Sequence, residues 1–468
     1  MDYITLFTEK QVQDNTAYPR HDVGVSQLFY DLHQHFICYV IESKAWYTYT
    51  GKRWAKDEGG LAVMELCKAF ATAYAKYAQN FEDGSKETDD YIKYAKGLTN
   101  RRRRESLLSD ARSIKPISIN RFDTSRHLLN CLNGTFCLQS LQLLPHNPSN
   151  LLTKLAKVNY DPAAICPRWD QFISEIMCDD EQTAHFLQKS LGYALTGDTS
   201  LECFFILYGN KTRNGKSTLS EAVAFVLGEY ARTIQPQSLG KRSSDGGSAS
   251  PDMARLKGAR LVNTPEPEKG LELNVALVKQ LTGGDTYTAR MLHENPVEFK
   301  PEFKIYMNTN HLPKTSDDTI FLSGRVKLIP FDRHFEPHEQ DNGLKKLFRK
   351  PQNKSAILNW LIAGYVALQS KGLELPDKIK LAIEAYRQET DVVGTFLAEC
   401  TTIKEGHRLP TAELYSTYIQ WAKAHGYKPV ILKQLVSDLR RKHEVKRGSS
   451  GMVVTGIALI SSEPGAFV

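Results

Sequence analysis

The pattern of apolar and polar positions changes period several times along the chain. Trp46 to Trp54 alternates aromatic and polar side chains about Thr50-Gly51, which predicts a β-hairpin. From Leu61 to Asn80 the period lengthens, with Leu61, Met64, Leu66, Phe70, Tyr74 and Tyr77 at helical spacing. A polar loop from Glu82 to Glu87 separates this helix from a second one through Tyr91, Tyr94 and Leu98. Arg101 to Arg104 follow as a run of four arginines, which reads as a solvated face that could also touch nucleic acid. Asn133-Gly134 between two apolar runs predicts a second hairpin, ended by Pro145 and Pro148. Helical spacing returns at Trp169, Phe172, Ile173 and Ile176, and again from Glu181 to Leu195.

Residues 203–335 alternate strand and helix. Cys203 to Tyr208 is a continuous apolar run, the pattern of a strand covered on both faces, and Ser217 to Leu227 is a helix. Arg260 to Val262, Phe303 to Met307 and Val326 to Pro330 are further strands, so an α/β core with a parallel sheet is expected. The Gly/Ser-rich stretch Gln237 to Pro251 reads as a mobile loop within that core. A helix from Asn353 to Lys371 follows. Near the end come two helices, Thr411 to His425 and Leu432 to Arg441, and then two strands about Gly448-Ser449-Ser450-Gly451. That order is the order of a winged helix.

Composition narrows the function classes. An apolar fraction of 41% and an aromatic fraction of 10% over 468 residues exclude global disorder and allow more than one core. Sixty Lys and Arg against 53 Asp and Glu leave a net charge of +7. Much of the excess is local: between Tyr427 and Arg447, Lys428, Lys433, Arg440, Arg441, Lys442, Lys446 and Arg447 face only Asp438 and Glu444. Such a surface suits a polyanion. The eight cysteines form no CxxC pair and no zinc-like set. There is no leader-like start and no run of roughly 18 apolar residues, so the expectation is a cytoplasmic protein with no membrane partner.

The sharpest chemical signal is Gly209-Asn210-Lys211-Thr212-Arg213-Asn214-Gly215-Lys216-Ser217-Thr218, set between the apolar strand and a helix. Phosphate chains need N–H groups at a helix N-terminus, a lysine for the terminal oxygens and a hydroxyl for magnesium. Gly215, Lys216 and Ser217 fit those roles. Five residues separate Gly209 from Gly215, where the common phosphate loop has four; either the loop is one residue longer or Gly209 is not the equivalent glycine. Glu266 and Glu268, just past a strand, are candidates to hold magnesium and polarise water. Asn310, at the end of another strand, could sense a terminal phosphate, and Arg325 could reach a neighbouring subunit's phosphate.

Together these elements resemble the superfamily 3 helicases, in particular the phage, plasmid and poxvirus type of primase-helicase. The stretches Trp46–Trp54, Tyr160-Asp161-Pro162, Cys166–Trp169 and Leu191–Gly197 look like that family's accessory domain, and Tyr386–Asp391 opens a segment similar to its C-terminal domain. The resemblance implies an AAA+ P-loop ATPase core with a parallel sheet over residues 166–375. A mostly helical accessory domain would precede it at 1–165, and a winged-helix-like domain would follow at 376–468. It implies ATP and Mg2+ as cofactors, a homo-oligomer, usually a hexamer, and single-stranded and forked DNA as partners. It makes Gly209, Asn214, Gly215, Lys216, Ser217 and Thr218 the nucleotide-binding set, and Ser217 and Glu266 the magnesium ligands. It makes Lys216, Glu266, Glu268, Asn310 and Arg325 catalytic. A DNA-gripping hairpin between Glu268 and Asn310 would carry Arg290 and His293, and Lys433, Arg440, Arg441, Lys446 and Arg447 would add DNA contacts from the C-terminal domain. No primase site is evident, so a separate primase or initiator would supply primers. The expected function is an ATP-driven DNA helicase of a phage or mobile element in a bacterial cytosol. The competing classes are an AAA+ initiator that melts origin DNA without processive unwinding, and a scaffold that uses ATP only for assembly.

Overall fold

Phe204, Phe205, Ile206 and Leu207 are buried on both faces of one strand, and the rest of the central domain is arranged around them. In the computed structural model, which describes residues 1–81, 84–241, 251–289, 297–315, 317–427, 429–448 and 451–460, this strand, β1 (Phe204–Tyr208), lies inside a five-stranded sheet. The others are β2 (Ala231–Thr233), β3 (Leu261–Thr264), β4 (Lys304–Thr309) and β5 (Val326–Pro330), in the order β5-β1-β4-β3-β2, all parallel. A parallel sheet needs both faces covered, and two apolar clusters cover it. One joins Phe205, Leu207 and Tyr306 to Trp169, Leu187 and Leu361; the other joins Phe204, Ile206 and Ile305 to Val278, Ile320 and Tyr386.

The N-terminal region is mainly helical, with helices at Tyr3–Glu9, Asp22–His33, Leu61–Ala78, Lys86–Gly97 and Arg101–Ala111 around their own aromatic core of Phe7, Phe29, Phe70 and Tyr74. The hairpin about Thr50-Gly51 forms between Ala45–Tyr49 and Trp54–Lys56, and Ile37–Val40 adds a third strand that the sequence pattern did not single out. The hairpin about Asn133-Gly134 likewise forms, extended by Gln142–Leu144. This second sheet packs on the central domain: Leu129, Phe136 and Val158 share one apolar cluster with Trp169 and Phe205, so the packing is continuous across residue 165. Arg260, only 3% exposed, reinforces the junction. It donates to the carbonyls of Leu195, Leu128 and Ser125 at 2.5, 2.6 and 3.2 Å and lies over the Tyr230 ring.

After the long helix Pro351–Lys371, helix Asp377–Thr390 returns to the sheet through Tyr386, whose hydroxyl donates to the Pro313 carbonyl at 2.6 Å. The C-terminal region runs helix Val392–Cys400, strand Thr401–Pro410, helices Thr411–Ala424 and Leu432–Lys442, and strands Val445–Gly448 and Gly451–Leu459. The last strand lies between the other two in an antiparallel sheet. Its core is Phe396, Tyr418, Trp421, Leu435 and Leu439. Most of the loop expected at Gln237 to Pro251 lies outside the described residues. Among the described residues no helix is long and apolar enough to cross a membrane.

Candidate nucleotide site

The C-terminal ends of β1, β3 and β4 are neighbours because those strands are parallel and adjacent through β4. Ligands of open α/β sheets bind at this edge. The phosphate loop leaves β1 here and enters helix Lys216–Leu227 through Gly215, whose φ of +85° is a left-handed conformation that suits glycine. A Cβ at Gly215 would stand 2.4 Å from Ile176 Cγ2, so the position has no room for a side chain. No side chain caps this helix, so its first N–H groups are open to a ligand. Gly209 follows β1 directly and lies under the loop: a Cβ there would meet Asn214 Nδ2 at 2.3 Å and Lys216 Nζ at 3.2 Å. Gly209 therefore lies beneath the loop, with no room for a side chain against Asn214. Asn214 is buried and donates through Nδ2 to the Lys211 carbonyl at 2.7 Å, closing the loop on itself.

Lys216 is 6% exposed. Its ammonium donates to Asn310 Oδ1 at 2.6 Å and to the Gly209 carbonyl at 3.5 Å. Asn310 in turn donates through its backbone N–H and its Nδ2 to the two oxygens of Glu266, each at 3.1 Å. Three residues from three strand ends thus form one bonded chain. Burial pulls the Lys216 ammonium down from 10.5 to about 8, while the charge on nearby Glu266 opposes that shift. A buried cation whose hydrogen-bond acceptors are both neutral lacks counter-charge, and a phosphate chain would supply it. The residues present fit ATP: the ammonium, the uncapped helix start and the exposed Ser217 hydroxyl for a metal-bound phosphate.

This shift gives a pH prediction. The protonated lysine is the phosphate-binding form, so ATP affinity is expected to hold below about pH 8 and fall about tenfold per pH unit above it. Fluorescent-nucleotide titrations across that range check the break. Stability runs the opposite way. Between about 8 and 10.5 the folded chain holds fewer protons at Lys216 than the unfolded chain does, so this group's contribution to stability rises with pH there.

The remaining candidates sort by position. Ser217 is exposed and Thr218 half-buried in the first turn of the helix. Glu268 is exposed and its side chain makes no hydrogen bond or ion pair among the described residues, so the cluster centres on Glu266. Arg325 precedes β5 and therefore sits at the opposite end of the sheet from Lys216, about 16 Å away by strand rise. There it pairs with Glu202 at 2.6 Å and donates to Thr282 Oγ1 at 2.9 Å, so within one chain it does not join the site. Arg290 and His293 lie outside the described residues; the antiparallel strands Tyr287–Ala289 and Val297–Phe299 flank that interval. In the C-terminal region Arg441 is bonded to Asp318, Lys442 to Asp391, and Lys446 to Glu444 at 2.8 Å. Lys433, Arg440 and Arg447 are exposed and make no ion pair among the described residues.

Sequence reasoning missed Asn308. It accepts from Ser220 Oγ at 3.0 Å and donates to the Thr264 carbonyl at 3.3 Å, locking the phosphate-loop helix to the end of β3. The available signal was an amide interrupting an otherwise apolar strand.

Comparison with known proteins agrees with this layout. The family model "D5 N terminal like" matches residues 26–178, "Poxvirus D5 protein-like" matches 388–446, and a family of unknown function, DUF5906, matches 207–325. Three viral proteins, each named "Putative helicase", are similar to the chain. L207/L206 of Acanthamoeba polyphaga mimivirus is 25% identical, covering 83% of this chain and 44% of that protein. The second, 022R of Frog virus 3, is 25% identical, covering 65% and 32%. V13 of the Sputnik virophage is 24% identical, covering 45% and 29%. The chain thus spans less than half the length of these relatives. Among solved structures, an apo form of the NrS-1 C-terminal region has the same fold, with a TM-score of 0.50 and 12% identity, covering 92% of this chain and 100% of that one.

Proposed function

We propose that the chain is a D5-like helicase, a superfamily 3, AAA+ ATPase that unwinds duplex DNA during replication of a virus or mobile element. The observation that carries this reading is the bonded chain Lys216–Asn310–Glu266 at the sheet edge, beside an uncapped helix start. ATP with Mg2+ supplies the phosphoanhydride whose hydrolysis drives the motor. Lys216 would bind the outer phosphate oxygens, and Gly209, Asn214, Gly215 and Thr218 would shape the cradle. Ser217 and Glu266 would hold the metal, with Glu266 also accepting the proton of the attacking water and Glu268 in support. Asn310 joins Lys216 to Glu266, so it can orient that water relative to the phosphate. Arg325 faces away from its own site, which suits action on the nucleotide of the next copy in a hexameric ring. Its release from Glu202 and Thr282 would then accompany assembly.

DNA would thread such a ring past Arg290 and His293, with the C-terminal region binding backbone as a winged-helix-like module. Lys433, Arg440 and Arg447, with no ion pair among the described residues, would do so directly, whereas Arg441 and Lys446 would first have to leave their carboxylates. Arg440→Ala with Arg447→Ala is expected to weaken binding to forked DNA and to lower the slope of log affinity against log salt by about two; fluorescence anisotropy over a salt series reads this out. A separate primase or initiator would complete the reaction. The proposal is tested by phosphate release from ATP in magnesium, with and without single-stranded DNA. Stimulation by DNA is expected, and a rate indifferent to both metal and DNA would refute it.

A further inference from the structure

A loop that points its N–H groups inward at a phosphate must point carbonyls outward, and each buried or half-buried carbonyl needs a donor. Asn214 and Lys216 serve the Lys211 and Gly209 carbonyls, and the donors to Thr212 and Arg213 come from one segment, residues 331–340, directly after β5. The Phe331 N–H donates to the Tyr208 carbonyl at 2.6 Å, and the Phe335 N–H to the Arg213 carbonyl at 2.9 Å. Between them His334 Nδ1 bonds the Thr212 carbonyl at 2.7 Å; a carbonyl only accepts, so this ring nitrogen carries the proton. Two loop carbonyls and that of the last residue of β1 are thereby held by one stretch of five residues. The two loop carbonyls are those of Thr212 and Arg213, and Arg213 adopts a left-handed φ of +56°, a conformation that costs a non-glycine residue energy unless its surroundings impose it.

The segment is braced within itself and tied to the helix Asp377–Thr390. Arg333 pairs with Glu339 and lies over the Phe335 ring at 4.7 Å. Glu339 accepts from the Glu336 N–H at 2.9 Å, and Gln340 donates to the Phe335 carbonyl at 3.0 Å. Asp332 pairs with Lys378 at 2.8 Å. A segment so tied can impose a shape on what it touches.

We infer that residues 331–340 form a strap that sets the conformation of the phosphate loop, with His334 as its positioning residue for nucleotide binding. This rests on the ATP reading above and adds a residue outside the loop to it. The strap holds the carbonyls of Thr212 and Arg213 outward, so the N–H groups of Asn214, Gly215 and Lys216 are arranged before the nucleotide arrives. Loss of the His334 bond leaves the Thr212 carbonyl without its donor and lets the Arg213 region relax.

The test is binding of a fluorescent ATP analogue to the whole chain, together with KM and kcat for ATP, in wild type, His334→Ala, His334→Asn and Lys216→Ala. His334→Ala is expected to raise Kd and KM about fivefold to tenfold, with kcat changed less. His334→Asn, whose amide can donate from nearly the same place, is expected to return both to within about twofold of wild type. Should His334→Ala lower the melting temperature, His334→Phe keeps the bulk of the ring without the donor and carries the same comparison. Wild-type affinity in His334→Ala, or an Asn variant as weak as the Ala variant, would overturn the strap while leaving the ATP reading intact. A wild type no tighter than Lys216→Ala would overturn both.

Discussion

Replacing Lys216 with Ala is expected to lower ATP turnover by about 10²- to 10³-fold, the usual cost of removing one preorganised charge from a phosphoryl-transfer site. The side chain is buried, and its ammonium bonds Asn310 Oδ1 and the Gly209 carbonyl. Truncation therefore takes away the phosphate's counter-charge and the link that joins β1 to β4 at once. Folding is expected to survive, because removing a buried cation with no direct carboxylate partner also removes its desolvation cost. The measurement is steady-state phosphate release alongside thermal melting. A variant that melts as wild type and hydrolyses at the same rate would show that Lys216 does not face the phosphates.

Glu266→Gln is expected to separate binding from chemistry. The carboxylate accepts both donors of Asn310, and a glutamine there can accept only one of them while Asn310 Oδ1 stays bonded to Lys216. Glu266 is exposed, so water satisfies the other donor and ATP affinity is expected to stay within about threefold. Turnover is expected to fall about 10²- to 10⁴-fold, because an amide cannot accept the proton of the attacking water. Equal losses in affinity and turnover would place Glu266 among the binding groups alone. Near wild-type turnover would show that Glu266 is not the base, and function kept despite lost turnover would favour a scaffold that uses ATP only to assemble.

The site's centre was legible because its residues belong to motifs that the strand–helix alternation locates independently. Cys203 to Tyr208 reads as a buried strand on composition alone, and a GKST segment at its end has few other meanings. Glu266 and Asn310 were readable for the same reason, each lying just past a strand. What could not be read was which carboxylate bonds the cluster, since Glu266 and Glu268 look alike in sequence and differ only in how the chain turns about buried Pro267. The strap was invisible because two of its three donors are backbone N–H groups, which every residue but proline has. Strand β2, three residues long and half-exposed, leaves no period to detect. Arg260 reads as a polar strand end, yet its guanidinium is buried on three carbonyls from parts of the chain up to 135 residues away. Such a contact is set by tertiary packing, and no local pattern encodes it. Arg325 is a candidate from its place before a strand, and its distance from Lys216 follows from strand direction.

ATP turnover at Lys216 is expected to be coupled to DNA strand separation. The most direct measurement is ATP-driven displacement of a labelled strand from forked duplex DNA in magnesium at low salt, with wild type and Lys216→Ala side by side. Displacement is expected with the wild type, with none by the variant and none without ATP. Hydrolysis by the wild type with no strand released would contradict that coupling.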